Sequence, residues 1–322
     1  MKKLFQCIVI GLCLFQCEEN SNEVSLANEK ATFEAGELIK VTGIDYTKTP
    51  IYKKVQKHPE SYEHLDKVDF YRIAYLSDGL LITGLMVAPK AEGSYPVIVY
   101  NRGGNRDLGR LLVATSVDVL SRFAAEGYVL VASNYRGNSS SEGTEEFGGS
   151  DVNDVINLIN ALQQIPKANP EKIGLLGLSR GGMMNYLTMK QGNLSQIKAA
   201  ATIGGVVDLQ ITGKYHPEMT EVFNELIPDI EVDKVNVLRS RSATYWVNEL
   251  PKNVPMMILH SKTDEHVSYE QIPPFLDSLT AYSVPFESVI YEDDTHGLIN
   301  HQDEVFKKIT KWFDRHLKQE SL

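Results

Sequence analysis

Cysteine is nearly missing from this chain of 322 residues. It has three, Cys7, Cys13 and Cys17, and none beyond position 17. The rest of the chain therefore has no disulfide framework, no thiolate for a zinc site and no cysteine nucleophile. A basic excess is also missing: Lys plus Arg number 32 against 42 Asp plus Glu, a net charge of −10. That balance excludes the broad cationic face that nucleic acid or an anionic membrane surface requires. No G-x-x-x-x-G-K-[ST], G-x-G-x-x-G or H-E-x-x-H occurs, so the sequence offers no phosphate loop, dinucleotide turn or helical zinc pair, and no cofactor is expected. Long hydrophobic runs are lacking as well. The one at the N-terminus is about a dozen residues, short of the ~20 a membrane-spanning helix needs.

What is present is ordinary for a globular protein, 43% hydrophobic and 23% charged, and long enough for one large α/β domain. The start, MKKLFQCIVIGLCLFQC, sets Lys2 and Lys3 before the apolar run, as secretory signals do. Leu14-Phe15-Gln16-Cys17 resembles a bacterial lipoprotein box, with Gln16 where a small residue is usual. The expectation is a signal over 1–17 with Cys17 lipidated, an acidic tether over 18–36, and an extension over 37–67 packed on the body. It places the protein in the bacterial cell envelope, periplasmic or on the outer membrane, or else secreted. Any membrane contact would then run through the lipid alone. Loss of the two lysines would leave a mature charge of −12.

From 68 onward, β-rich and helical patterns alternate. Runs at 68–75 and 80–88 flank Ser77-Asp78-Gly79 and predict a hairpin. Short buried strands follow at 96–100, 128–133, 173–178, 199–203, 255–260 and 287–291, separated by segments with helical spacing such as Val152, Val155, Ile156, Ile159 and Leu162. Ser150-Asp151 suits the cap of that helix. The pattern predicts an α/β protein: a mostly parallel, doubly wound sheet of about eight strands covered on both faces, in one domain over 68–318. The stretch 206–249 breaks the alternation with two expected helices, near 220–227 and 235–247, and is the candidate lid.

The chemistry centres on KIGLLGLSRGG at 172–182, where Gly177-Leu178-Ser179-Arg180-Gly181 has the form G-x-S-x-G between a buried strand and a helix. A turn sharp enough to lift a serine above a sheet brings its neighbours together, so side chains at 177 and 181 would collide. This resembles the nucleophile elbow of the α/β-hydrolase fold. Serine needs an imidazole base, and the imidazole needs a carboxylate to fix its tautomer. Asp264 follows the strand 255–260, and His296 follows the strand 287–291 with Gly297 beside it. Rivals are His260, His266 and His301 for the base, and Asp208, Asp293 and Asp294 for the acid. The N–H of Arg180 and one from Gly104 or Gly103 are the candidate oxyanion donors.

Taken together, these residues resemble the catalytic domain of the prolyl oligopeptidase family, a dienelactone-hydrolase-like α/β-hydrolase. The marks are NYRG at 134–137, EFGG at 146–149, GLSRGG at 177–182, RSA at 241–243, Asp264, and His296 with Gly297. The resemblance implies a serine hydrolase acting through an acyl-enzyme, with Ser179 as nucleophile, His296 as base and Asp264 as acid. Arg102 departs from the Tyr or His common in that loop, and the residues before the sheet are too few for the family's β-propeller. Three readings stay open: a peptidase for short peptides, an esterase for small or sugar acyl esters, and a non-catalytic binding protein on the same fold. For the first two the partner is a small-molecule ester or short peptide.

Overall fold

A computed structural model describes residues 35–192 and 194–318. The expected signal, the lipidation site Cys17 and nearly all of the tether lie outside the described residues. Among the described residues the sheet has nine strands: β1 (Leu38–Gly43), β2 (Val68–Ser77), β3 (Leu80–Pro89), β4 (Tyr95–Asn101), β5 (Val129–Ser133), β6 (Ala168–Leu178), β7 (Ile197–Ile203), β8 (Met256–Ser261) and β9 (Phe286–Tyr291). Their spatial order is β1-β2-β3-β5-β4-β6-β7-β8-β9. The first three pair antiparallel, β3 joins β5 antiparallel, and all later pairs are parallel. This is the α/β-hydrolase fold. The strand beyond the expected eight is β1, drawn from the extension, and only two of its six residues are even half-buried, so apolar periodicity could not mark it.

Ten α-helices connect and cover the strands among the described residues. They are α1 (Tyr52–Lys57), α2 (Val113–Thr115), α3 (Ser121–Ala125), α4 (Asp151–Ala161), α5 (Arg180–Gly192), α6 (Leu209–Tyr215), α7 (Glu218–Leu226), α8 (Lys234–Ser240), α9 (Ile272–Ala281) and α10 (Gln302–Phe313). Successive strand residues serve opposite faces. Val97, Val99, Ile173 and Leu175 meet one apolar layer with α4 and α5, while Ile98, Tyr100 and Leu176 meet the other with α3 and α10. With both faces buried, function is left to the loops at the strand ends.

Two local expectations change. The 206–249 insertion holds three α-helices, because Asp208 accepts hydrogen bonds from Gln210 and Ile211 N–H at 2.8 and 3.1 Å and starts α6 ahead of the expected pair. Ser150 precedes α4 without capping it through its side chain. Asp151 instead turns its carboxylate back to the Gly148 N–H at 2.9 Å and onto the guanidinium of Arg180.

Candidate active site

Ser179 follows β6 directly, in the left-handed region at φ 57°, which few residues other than glycine adopt without strain. Its own main chain holds the turn: Ser179 N–H donates to Ile203 carbonyl at 2.9 Å, and its carbonyl accepts Gly182 N–H at 2.9 Å. A Cβ at 177 would stand 2.3 Å from Gly181 carbonyl oxygen, and one at 181 would stand 1.9 Å from Asn101 carbonyl oxygen. Both glycines are therefore set by backbone crossing backbone, as the motif requires. Helix α5 begins at Arg180, so the N–H groups of Arg180 and Gly181 have no carbonyl of the helix to bond.

The loops after β8 and β9 bring Asp264 and His296 together. His296 Nδ1 lies 2.9 and 2.8 Å from the two carboxylate oxygens of Asp264, whose side chain is fully buried. Burial opposes ionisation of Asp264. The His296 hydrogen bond and charge, with N–H groups of Val267 and His266, outweigh it and hold the carboxyl below its ordinary range. An ionised Asp264 takes the Nδ1 proton of His296 as a donor and leaves Nε2 as the basic nitrogen. The imidazole packs on the main chain at Gly204, the residue after the carbonyl that anchors Ser179: a Cβ at 204 would lie 2.8 Å from His296 Nδ1.

The acid rivals are engaged elsewhere, while His260, 3.5 Å from Asp264, and His266 pack around the pair. Asp208 is the cap described above. Asp293 accepts the Thr263 hydroxyl at 3.2 Å. Asp294 is buried, accepting the N–H groups of Thr295 and Asn300 at 2.7 and 3.1 Å and pairing with His301 Nδ1 at 2.6 Å, so this pair shapes the loop that carries His296. His260 is fully buried beneath Asp264, with Nε2 at 2.9 Å from Val267 carbonyl, and burial pushes its pKa down. His266 sets its ring edge-on to His296, the centroids 5.2 Å apart.

Ser179, Arg180, His296, Gly103 and Gly104 all line a cavity of about 470 Å³. Gly103 packs onto the serine: a Cβ there would be 3.0 Å from Ser179 Cβ and 3.6 Å from its Oγ. Phe147, Val206, Leu209 and Met219 give the cavity an apolar wall, with Val206, Leu209 and Met219 supplied by the insertion.

The buried cations around this site escaped sequence reasoning. Arg180 has its side chain 2% exposed, ion-paired with Glu145 and Asp151 and hydrogen-bonded to Gly104 carbonyl at 3.1 Å. Burial works against its charge, but the two carboxylates more than offset that and raise its pKa. Arg102, also buried, donates to the carbonyls of Gly103 and Leu108 at 3.0 and 3.2 Å and faces the Tyr135 ring at 5.1 Å. The two arginines thus hold the 103–109 loop against the elbow. Arg180 and Asp151 lie 29 residues apart, and Arg180 and Glu145 lie 35 apart, so no local spacing announces either pair. Among the described residues no group of three His, Cys, Asp or Glu is placed to hold a metal ion.

An α/β-hydrolase sheet with a serine at the elbow and a carboxylate-bound imidazole on the same cavity defines a serine hydrolase. A sequence model of the prolyl oligopeptidase family matches residues 115–320, and the chain belongs to that family. It is 28% identical over 259 residues to "Uncharacterized peptidase YtmA" of Bacillus subtilis, covering 80% of this chain and 96% of that one. It is 23% identical to "Dipeptidyl-peptidase 5" of Porphyromonas gingivalis over 75% of this chain and 36% of that one. Pyrococcus horikoshii acylaminoacyl peptidase superposes with a TM-score of 0.69 at 23% identity, over 82% of this chain and 44% of that one. The chain thus spans nearly all of the first relative and less than half of the other two. No propeller is present among the described residues.

Proposed function

We propose that this chain is a peptidase for short peptides, with Ser179 as nucleophile, His296 as general base and Asp264 as the carboxylate that orients it. The observation that carries the reading is the pairing of His296 Nδ1 with both oxygens of buried Asp264, on the wall of the cavity that Ser179 lines. In the first step Ser179 Oγ adds to the scissile carbonyl while its proton passes to His296 Nε2. Asp264 stabilises the imidazolium that forms. The Arg180 N–H and one from Gly104 or Gly103, on the loop pinned by two buried arginines, receive the oxyanion. His296 then protonates the leaving amine, the C–N bond breaks, and the acyl-enzyme is cleared by water activated at the same nitrogen.

An apolar wall beside a cavity of about 470 Å³ suits one or two side chains of a peptide, and equally an acyl chain. Ester hydrolysis follows the same steps with an easier leaving group. A panel of aminoacyl and acylaminoacyl anilides beside p-nitrophenyl esters decides between the two. Ser179-dependent cleavage of anilides is expected, and turnover of esters alone would overturn the peptidase reading. We further propose export with a lipid on Cys17, supported by the lipoprotein-box resemblance. A fatty-acid label that survives Cys17→Ser would refute it.

A further inference from the structure

Behind the wall of the substrate cavity lies a second cavity, of about 400 Å³, which shares none of its lining residues. The partition is two residues of one turn. Phe147, at φ 48°, faces the substrate side, and Gly148, at φ 89°, faces the second cavity. The lining of this cavity is unusual for a chain with a net charge of −10. It includes two cations, Lys190 from α5 and Arg241 just after α8, with neutral donors from Ser150, Asn153, Gln191 and Ser240, and no carboxylate.

Among the described residues Arg241 makes no direct ion pair. Its Nη1 donates to Val237 carbonyl at 3.1 Å, while Nε is buried with no acceptor. The two carboxylates near enough to act on it electrostatically are Asp151 and Glu146. Asp151 is bound to Arg180 and the Gly148 N–H, and Glu146 accepts Ser150 N–H at 2.7 Å. Lys190, by contrast, has Glu249 at 3.3 Å and the Trp246 ring at 4.4 Å. A half-buried guanidinium with no carboxylate in direct contact keeps donors for charge-assisted hydrogen bonds to an added anion. Gly149 leaves room for both groups: a Cβ there would lie 2.4 Å from Glu146 Oε2 and 3.2 Å from Arg241 Nη2.

We propose that this cavity is a binding site for a small oxyanion, a phosphate or a carboxylate, gripped by Arg241 and assisted by Lys190. The site is separate from the hydrolytic one, so it can be tested without a substrate. Titration calorimetry of the full chain at neutral pH and fixed ionic strength would use inorganic phosphate in one arm and acetate in the other. Binding is expected, and the tighter arm identifies the anion class. Arg241→Gln should weaken that binding by about tenfold or more, the effect of losing charge-assisted hydrogen bonds. Lys190→Gln should weaken it severalfold. Absence of binding in both arms, or equal affinity in Arg241→Gln and the parent, overturns the proposal. Should Arg241→Gln fail to fold, Lys190→Gln decides, and unchanged affinity there overturns it.

Discussion

The elbow at 177–182 and the insertion at 206–249 border one cavity but are built on opposite terms. At the elbow, main chain meets main chain: the atoms that a Cβ at 177 or 181 would strike are backbone atoms, which cannot swing aside. The insertion rests on side chains. Its helices α6 and α8 are held at their starts by Asp208 and Asp233, α7 buries Phe223 and Leu226, and Val232 is 83% exposed. Rigid backbone fixes where a nucleophile stands, whereas side-chain packing fixes what fits beside it. The first should therefore tolerate almost no change and the second a great deal.

The largest effects belong to the elbow and its partners. Ser179→Ala should lower kcat by about 10⁴-fold or more, the scale seen for loss of a serine nucleophile, while the thermal midpoint stays near the parent's. Loss of activity together with the fold would show a structural role instead. Asp264→Asn should cost about 10³ to 10⁴ in kcat with KM little changed, since His296 loses the acceptor that sets its tautomer. A pH signature accompanies it. The Asp264 pKa lies below its ordinary value of 3.8, so the stability it contributes is complete above that value and is lost as pH falls below it. The stability gap between parent and Asp264→Asn, followed by denaturant titration, should therefore be open at neutral pH and close in strong acid.

Next in size is a change of one methyl group. Gly181→Ala would place carbon 1.9 Å from Asn101 carbonyl oxygen, so β4 and the elbow must move apart. Overpacking of this kind should cost about 3 kcal/mol or more, read as a fall in the denaturant midpoint. An alanine variant of parental stability would mean that the elbow is more pliable than its packing indicates.

The same contrast explains what was legible beforehand. G-x-S-x-G carries its geometry in the spacing, because Gly177 answers to a clash with Gly181 inside the motif, although Gly181 answers to Asn101 on β4. Asp264 and His296 were legible because each lies in the loop after a strand, and the pairing of β8 with β9 brings those loops together. Arg180 is different. It entered as a backbone donor, yet its guanidinium ties Glu145 and Asp151 to the serine's helix, and nothing in the chain near 180 signals partners 29 and 35 residues away. Strand β1 was hidden for a related reason. It lies at an edge, its residues mostly exposed, and backbone pairing with β2 needs no apolar pattern. The third insertion helix was missed because α6 includes Gly213 and buries just Leu209 and Thr212, so no apolar period emerges.

The smallest effect expected tests the tolerant side. Arg106, on the loop that the two buried arginines hold, reaches across to α7 and pairs with both carboxylate oxygens of Glu225. The link spans 119 residues and joins the insertion to the loop packed on the elbow, yet both side chains are largely in water, 42% and 64% exposed. A pair so placed gains little over solvent and is screened by salt, so Arg106→Gln should cost about 1 kcal/mol or less in stability. The loop itself keeps its anchors, because Arg106 N–H still donates to Glu145 at 2.7 Å through the backbone. Activity should accordingly change by a few-fold at most, in KM more than in kcat, and the difference should shrink as ionic strength rises. A hundredfold loss of kcat in Arg106→Gln would contradict the division drawn between the two regions, since it would make the insertion part of the rigid frame that holds the oxyanion loop.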